Sequence, residues 1–225
     1  MNPASGSRTL PAFLLLLLLI AWGMNSCASR PPKNVAYPAG YPLGYTQRGY
    51  ASWYGPGFHG HKTANGEVYN SHQLTAAHRT LPFGSVAQVR SLTNDRRVTV
   101  RINDRGPFVK GRIIDLSLAA AQALAMAGPG TDQVELRVVG YHGHPGALGY
   151  LRVQVASFVE QANAQALARK LKGKYPDVRI VAVELSSGRY YRVQVGQFTS
   201  EQQAEELAER LASQFDAEPL VIRDD

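Results

Sequence analysis

The sequence predicts a mainly β domain followed by an α+β domain, and three observations lead there. Residues 150–171 (YLRVQVASFVEQANAQALARKL) return forty residues later as 190–211 (YYRVQVGQFTSEQQAEELAERL). Between 48 and 140, short alternating or apolar stretches are punctuated by Gly, Pro and Asn, with one Ala/Leu-rich segment among them. Ahead of both lies an apolar run and then a Pro-, Gly- and Tyr-rich stretch without apolar periodicity.

The repeat defines the last domain, 150–225. Each copy reads as a strand of period two, a turn, and a helix with apolar residues at helical spacing. Ala164, Leu167, Ala168 and Leu171 mark the first helix, and Ala204, Leu207, Ala208 and Leu211 mark the second. VRIVAVEL and PLVIRD add a strand after each. The order βαβ-βαβ gives a ferredoxin-like split sandwich with both helices on one face of a sheet. Alternation turns Val153, Val155, Val193 and Val195 toward the helices. It leaves Arg152, Gln154, Tyr190, Arg192 and Gln194 on the open face. Guanidinium groups, amides and a phenol suit sugar hydroxyls, which need planar hydrogen bonding and a stacking surface. A merely solvated face is the competing reading.

In the middle domain, 48–140, ASWYG, SVAQVRSL, RRVTVRIND and QVELRVVG read as strands. LSLAAAQALAM after Asp115 reads as a helix closed by Gly128-Pro129, with Asp115 as its cap. Strands with one helical insert suggest a small closed barrel. Residues 141–149 (YHGHPGALG) form a turn-prone linker.

Residues 1–26 read as a signal peptide, since the run from Leu10 to Trp22 is too short to span a bilayer comfortably. Cys27 is the sole cysteine, so no intrachain disulfide forms. Met24-Asn25-Ser26-Cys27 resembles a lipobox, which implies diacylation of Cys27 and a membrane anchor, with residues 27–47 as a tether. By resemblance to enterobacterial lipoprotein sorting, Ala28 after the cysteine favours the outer membrane, which would place the chain at the periplasmic face of a Gram-negative envelope. The alternative is a plain secretory signal and a coincidental cysteine.

The formal charge of +7 divides as +3 before residue 48, +5 over 48–140 and −1 over 150–225. A basic middle suits a polyanionic neighbourhood. RNA-recognition modules share the topology of the last domain, but its acidic balance and lack of an aromatic-rich motif exclude nucleic acid as a partner.

Four segments concentrate glycines and polar groups at turn positions: 49–67, 75–84, 101–108 and 111–117. They offer the carboxylates Glu67 and Asp104 and the imidazole of His78. Breaking a β-1,4 glycosidic bond needs an acid at the leaving oxygen and a group that assists attack. Each also has an ordinary reading: Asp104 in a turn, Glu67 in a hairpin, His78 packed against a carbonyl. Arg101 and Arg105 lie close to Asp104 in sequence, which opposes an acid role, although alternation puts Arg101 and Asn103 on the other face. Tyr54, Phe58 and Phe108 are candidate stacking surfaces. His59, His61 and His72 lack metal-ligand spacing, so no metal or cofactor is expected.

GYASWYG, FHG, TANGE, TAAH, LPFG, VRINDRGPF and GRIIDLS resemble, almost word for word, the double-psi β-barrel of the rare lipoprotein A family of septal lytic transglycosylases. The doubled RVQV pattern resembles a SPOR domain, a module that binds peptidoglycan strands stripped of stem peptides. The resemblance implies a functional trio of Glu67, His78 and Asp104. It implies that Asp104 protonates the bond between N-acetylmuramic acid and N-acetylglucosamine, then accepts the C6 hydroxyl proton as a 1,6-anhydro end forms. Glu67 and His78 would hold the sugar and tune Asp104. An inverting hydrolase using Glu67 with Asp104, and a non-catalytic expansin-like wall binder, stay open as alternatives. So does the choice between Asp104 and Glu67 as the acid.

Overall fold

The computed structural model describes residues 41–142, 149–185, 187–215 and 217–224. The expected signal peptide, lipidated Cys27 and most of the tether lie outside the described residues.

The barrel is built from β1 (Thr46–Trp53), β2 (Thr75–His78), β3 (Ser85–Ser91), β4 (Arg97–Asp104), β5 (Arg112–Leu116) and β6 (Asp132–Tyr141). Its strands close in the order β1-β5-β2-β4-β3-β6. The β1–β5 and β2–β4 pairs are parallel and the rest antiparallel. β3 alternates strictly between buried and half-buried residues, as its period-two sequence requires. Val89, Val100, Ile102, Ile114, Leu116 and Leu136 meet in the interior. Each such aliphatic side chain contributes about 1.5–3 kcal/mol by leaving water.

TAAH and RIIDL, expected as turn-rich functional segments, are instead the two short strands β2 and β5 at the centre of the barrel wall. Helix α1 (Leu118–Ala123) is shorter than expected. Its cap is Ser117, whose hydroxyl accepts the Ala120 N–H. Asp115, expected to cap, belongs to β5. The chain leaves the helix early, with Ala125 left-handed at φ 56°, so that Leu124 and Met126 both reach the core.

The second domain holds β7 (Leu151–Phe158), α2 (Gln161–Lys172), β8 (Arg179–Leu185), β9 (Gly188–Phe198), α3 (Glu201–Phe215) and β10 (Leu220–Arg223). The antiparallel sheet order is β10-β7-β9-β8. Val153, Val155, Val193 and Val195 pack with Ala164, Ala168, Leu171, Ala204, Leu207 and Leu211, as alternation predicted.

A polar seam joins the domains. Glu201, in the first turn of α3, accepts hydrogen bonds from Tyr45 (3.2 Å) and Thr80 (3.0 Å). Arg223 donates through its backbone N–H to the Arg79 carbonyl (2.9 Å) and through Nε to the Thr80 carbonyl (2.6 Å).

Candidate active site

The last residue of β4, Asp104, is the hub. Its Oδ2 accepts the Tyr54 hydroxyl at 2.7 Å, and its Oδ1 accepts the backbone N–H groups of Ala64 (2.9 Å) and Arg105 (2.8 Å). Tyr54 follows the end of β1, and Ala64 lies on the loop between β1 and β2. Three chain segments thus fix one carboxylate. Burial, reinforced by the Asp104 charge and hydrogen bond, drives the Tyr54 hydroxyl far above its ordinary value, so it stays a proton donor.

Glu67 is held on the same side as the alternating residues of β4. Arg101 grips it with two hydrogen bonds (2.7 and 2.8 Å), Asn103 donates at 2.9 Å and Asn65 at 3.0 Å. These donors, Arg101 foremost and opposed by partial desolvation, bring the Glu67 carboxyl down to about 2. Such a group is ionised at any physiological pH. The grip also answers the electrostatic objection: Arg101 neutralises Glu67. Arg105 sends its guanidinium to the carbonyls of His78 (3.0 Å) and Leu81 (2.9 Å) and stacks it on Phe83 at 3.8 Å.

The expectation that His78 helps hold the sugar is corrected. His78 is 2% exposed. Its Nδ1 accepts the N–H groups of Thr80 (3.1 Å) and Leu81 (3.0 Å), so Nε2 carries the proton and donates to Gln47 Oε1 at 2.9 Å. Burial, with Arg79, Arg105 and Arg223 nearby, lowers its basicity well below the ordinary histidine range. It is a neutral, buried residue, and its carbonyl accepts from Arg105.

Asp115 is the residue that sequence reasoning set aside. Ala77 of β2 is the register partner of Asp104 on one side and of Asp115 on the other. The β2–β4 register is irregular between Ala76 and Ala77, and β4 and β5 lie on either side of β2, close enough for the Asp104 charge to be felt at Asp115. Asp115 accepts one bond from Arg112 (2.8 Å), and its buried Oδ1 has no hydrogen-bond partner among the described residues. Burial raises its pKa above the ordinary value; Arg112 opposes the shift and the Asp104 charge adds to it. The signal was available in the sequence as the Asp of RIIDL, but the cap reading hid it.

On the second sheet, the residues expected to project freely are mostly covered, which corrects that expectation. Arg152, Gln154 and Gln194 are each no more than 6% exposed. Arg152 donates to Asp224 (2.9 Å) and to the Gly196 carbonyl (2.9 Å), and Gln194 accepts from Arg179 (2.9 Å). Arg192 stacks over barrel residue Phe108 at 4.0 Å, and Tyr190 is half-buried opposite Val183. Guanidinium groups on an otherwise bare face find carboxylate, amide and aromatic partners within the chain, which consumes their donors. Tyr54 and Phe58 pack together (5.7 Å between centroids), while Phe108 belongs to the domain seam.

Residues 46–136 match the double-psi β-barrel family described as "Lytic transglycolase", and residues 147–223 match the SPOR domain. The endolytic peptidoglycan transglycosylase RlpA of Campylobacter jejuni is 44% identical over 160 residues, 60% of this chain and 58% of that one. The chain is thus similar to the rare lipoprotein A proteins in both domains. The RlpA of Helicobacter pylori (strain 26695) is 40% identical over 172 residues, 64% of this chain and 55% of that one. The RlpA of Rickettsia bellii is 38% identical over 145 residues, 63% and 59% respectively. This chain therefore spans a little over half the length of these curated relatives. Within the barrel, the structure brings Asp104 together with Tyr54 and Asp115, while Glu67 is held by Arg101 and His78 is buried.

Proposed function

We propose that this chain is an endolytic lytic transglycosylase of peptidoglycan, cutting the β-1,4 bond between N-acetylmuramic acid and N-acetylglucosamine in peptide-stripped strands at the division septum. The observation that carries the reading is the pair of carboxyl groups, Asp104 and Asp115, on either side of Ala77. A protonated carboxyl is needed at the start. Asp104 delivers its proton to the bridging oxygen. The resulting carboxylate, steadied by the Tyr54 hydroxyl, then takes the proton of the muramyl C6 hydroxyl as that oxygen bonds to C1. The leaving sugar departs with its new hydroxyl, the muramyl ring closes as a 1,6-anhydride, and no water enters. Glu67, locked by Arg101, holds the loop that supplies the Ala64 N–H to Asp104. The SPOR domain would keep the polymer nearby, and a lipid on Cys27 would keep the enzyme at the outer membrane.

Product mass decides the case. Purified protein and peptide-free glycan strands should give products lighter by one water than hydrolysis gives. Intact strands with wild type, or hydrated ends, would defeat the proposal.

A further inference from the structure

The barrel wall formed by β1, β6, β3 and β4 turns a patterned face outward. Arg48 of β1, Glu135 of β6, Arg90 of β3 and Arg97 of β4 form one cross-strand row, each the register partner of the next. One pleat further along, the next outward row is Thr46, Arg137, Gln88 and Thr99. We infer that this face docks on an anionic phospholipid surface and binds the lipid phosphates. The inference goes beyond the catalytic reading and does not depend on it.

Three observations carry it, and charge comes first. The two rows hold four arginines and one carboxylate. A hydrogen bond from Arg48, with the charges of Arg90 and Arg137 adding to it, holds the Glu135 carboxyl below its ordinary value. Asp95 of the β3–β4 turn accepts from Arg90. The guanidinium groups of Arg97 and Arg137 are exposed and have no hydrogen-bond partner among the described residues. Planar forks with free donors suit phosphate oxygens. Forks set only a strand or a pleat apart call for many phosphates presented side by side.

The second observation is an apolar fringe. Tyr50 and Leu92 flank Gln133 at one end of the arginine rows, and Leu43 and Val139 sit beside Arg137 and Gln88 at the other. All four are exposed. A hydrated carboxylate polymer offers such side chains nothing. The boundary between headgroups and acyl chains takes arginine, tyrosine and short aliphatic groups together.

The third is placement. β4 begins at Arg97 and ends at Asp104, about 20 Å away by strand rise, so a bilayer against the rows leaves Asp104 uncovered.

The test uses the full chain with Cys27→Ser, so that it carries no lipid, and Thr99→Cys as its sole thiol, bearing an environment-sensitive dye. A matched chain carries the dye on Val159→Cys, an exposed position of the second domain. Each meets vesicles of phosphatidylcholine alone or with about one-third phosphatidylglycerol. The apolar N-terminal run is the same in every arm, so only headgroup charge distinguishes them. The dye at position 99 should shift to the blue with anionic vesicles only, and the shift should vanish in about 0.5 M salt. The dye at position 159 should not respond. Arg97→Gln with Arg137→Gln should lower the ratio of shifted to unshifted dye about twentyfold, near fivefold for each arginine. Arg97→Lys with Arg137→Lys should restore most of it. Equal shifts on neutral and anionic vesicles, no shift on either, or an equal shift at position 159 would overturn the inference. So would undiminished docking of the glutamine variant, or a lysine variant no better than it. Displacement of the vesicles by poly-L-glutamate at a lower charge concentration than the lipid's would assign the face to a carboxylate polymer instead.

Discussion

Glu67 and Asp115 are both carboxyl side chains near Asp104, and each touches one arginine, yet their surroundings drive them in opposite directions. Glu67 sits on a half-exposed loop, with two bonds from Arg101 and one each from Asn103 and Asn65. Asp115 sits in the barrel wall with a single bond from Arg112 and an oxygen that nothing described satisfies. Donor count wins at the first site, so the charge is stabilised. Desolvation wins at the second, so the proton is. An arginine neighbour alone does not decide a carboxyl group's state; the number of remaining lone pairs and the access of water do.

The largest expected effect is on chemistry. Asp104→Asn should cut glycan cleavage by about 10³-fold, within the range for a lost general acid, while thermal unfolding is little changed. Anhydro-product formation followed by mass spectrometry measures it, and near-normal turnover would shift the acid role elsewhere. Asp115→Asn should lower the rate by about tenfold or more and flatten the acidic limb of the pH–rate profile. Unlike a mutation at Glu67, it should not lower the melting temperature at neutral pH, because it removes a charge that the fold disfavours.

Next comes stability at the buried histidine. His78→Ala leaves the Thr80 and Leu81 N–H groups without their acceptor and opens a cavity, so the urea midpoint should fall by the equivalent of about 2–4 kcal/mol. His78→Gln should recover part of this. A direct substrate contact would instead show as a rate loss without loss of stability.

The smallest effects lie in pH linkage. Glu67 titrates at 4.5 ordinarily and near 2 in the fold, so its contribution is present above 4.5 and drains away as pH falls toward 2. The Arg101 pair is partly exposed, and solvent screening holds the effect to about 1 kcal/mol. Glu67→Gln should abolish that slope in urea midpoints measured between pH 2 and 5. Asp115 has the opposite sign. Its folded value lies above 3.8, so stability declines as pH rises past 3.8 and levels off beyond the raised value. Asp115→Asn should remove that decline; slopes of the same sign at both sites would break the contrast.

Much of the fold was legible locally. The doubled strand–helix unit gave the SPOR sheet, its helices and its valine-lined face, because alternation and helical spacing are properties of consecutive residues. Asp104 was legible too, as a carboxylate within RINDRGPF. TAAH and RIIDL were not. Both are too short to display a period, and they become strands only because the barrel closes around them. The crowding of Arg152, Gln154 and Gln194 was hidden for a similar reason: their partners Asp224, Gly196 and Arg179 are remote in sequence.

The sequence by itself determined the two-domain order, the resemblance to the rare lipoprotein A family and the residue types of the candidate site. Only the tertiary structure decided which groups can use their chemistry. It buried His78, locked Glu67 in an arginine fork and set Asp115 across Ala77 from Asp104. Ionisation follows from what surrounds a side chain in three dimensions, and the barrel's parallel crossings bring those surroundings from segments far apart along the chain.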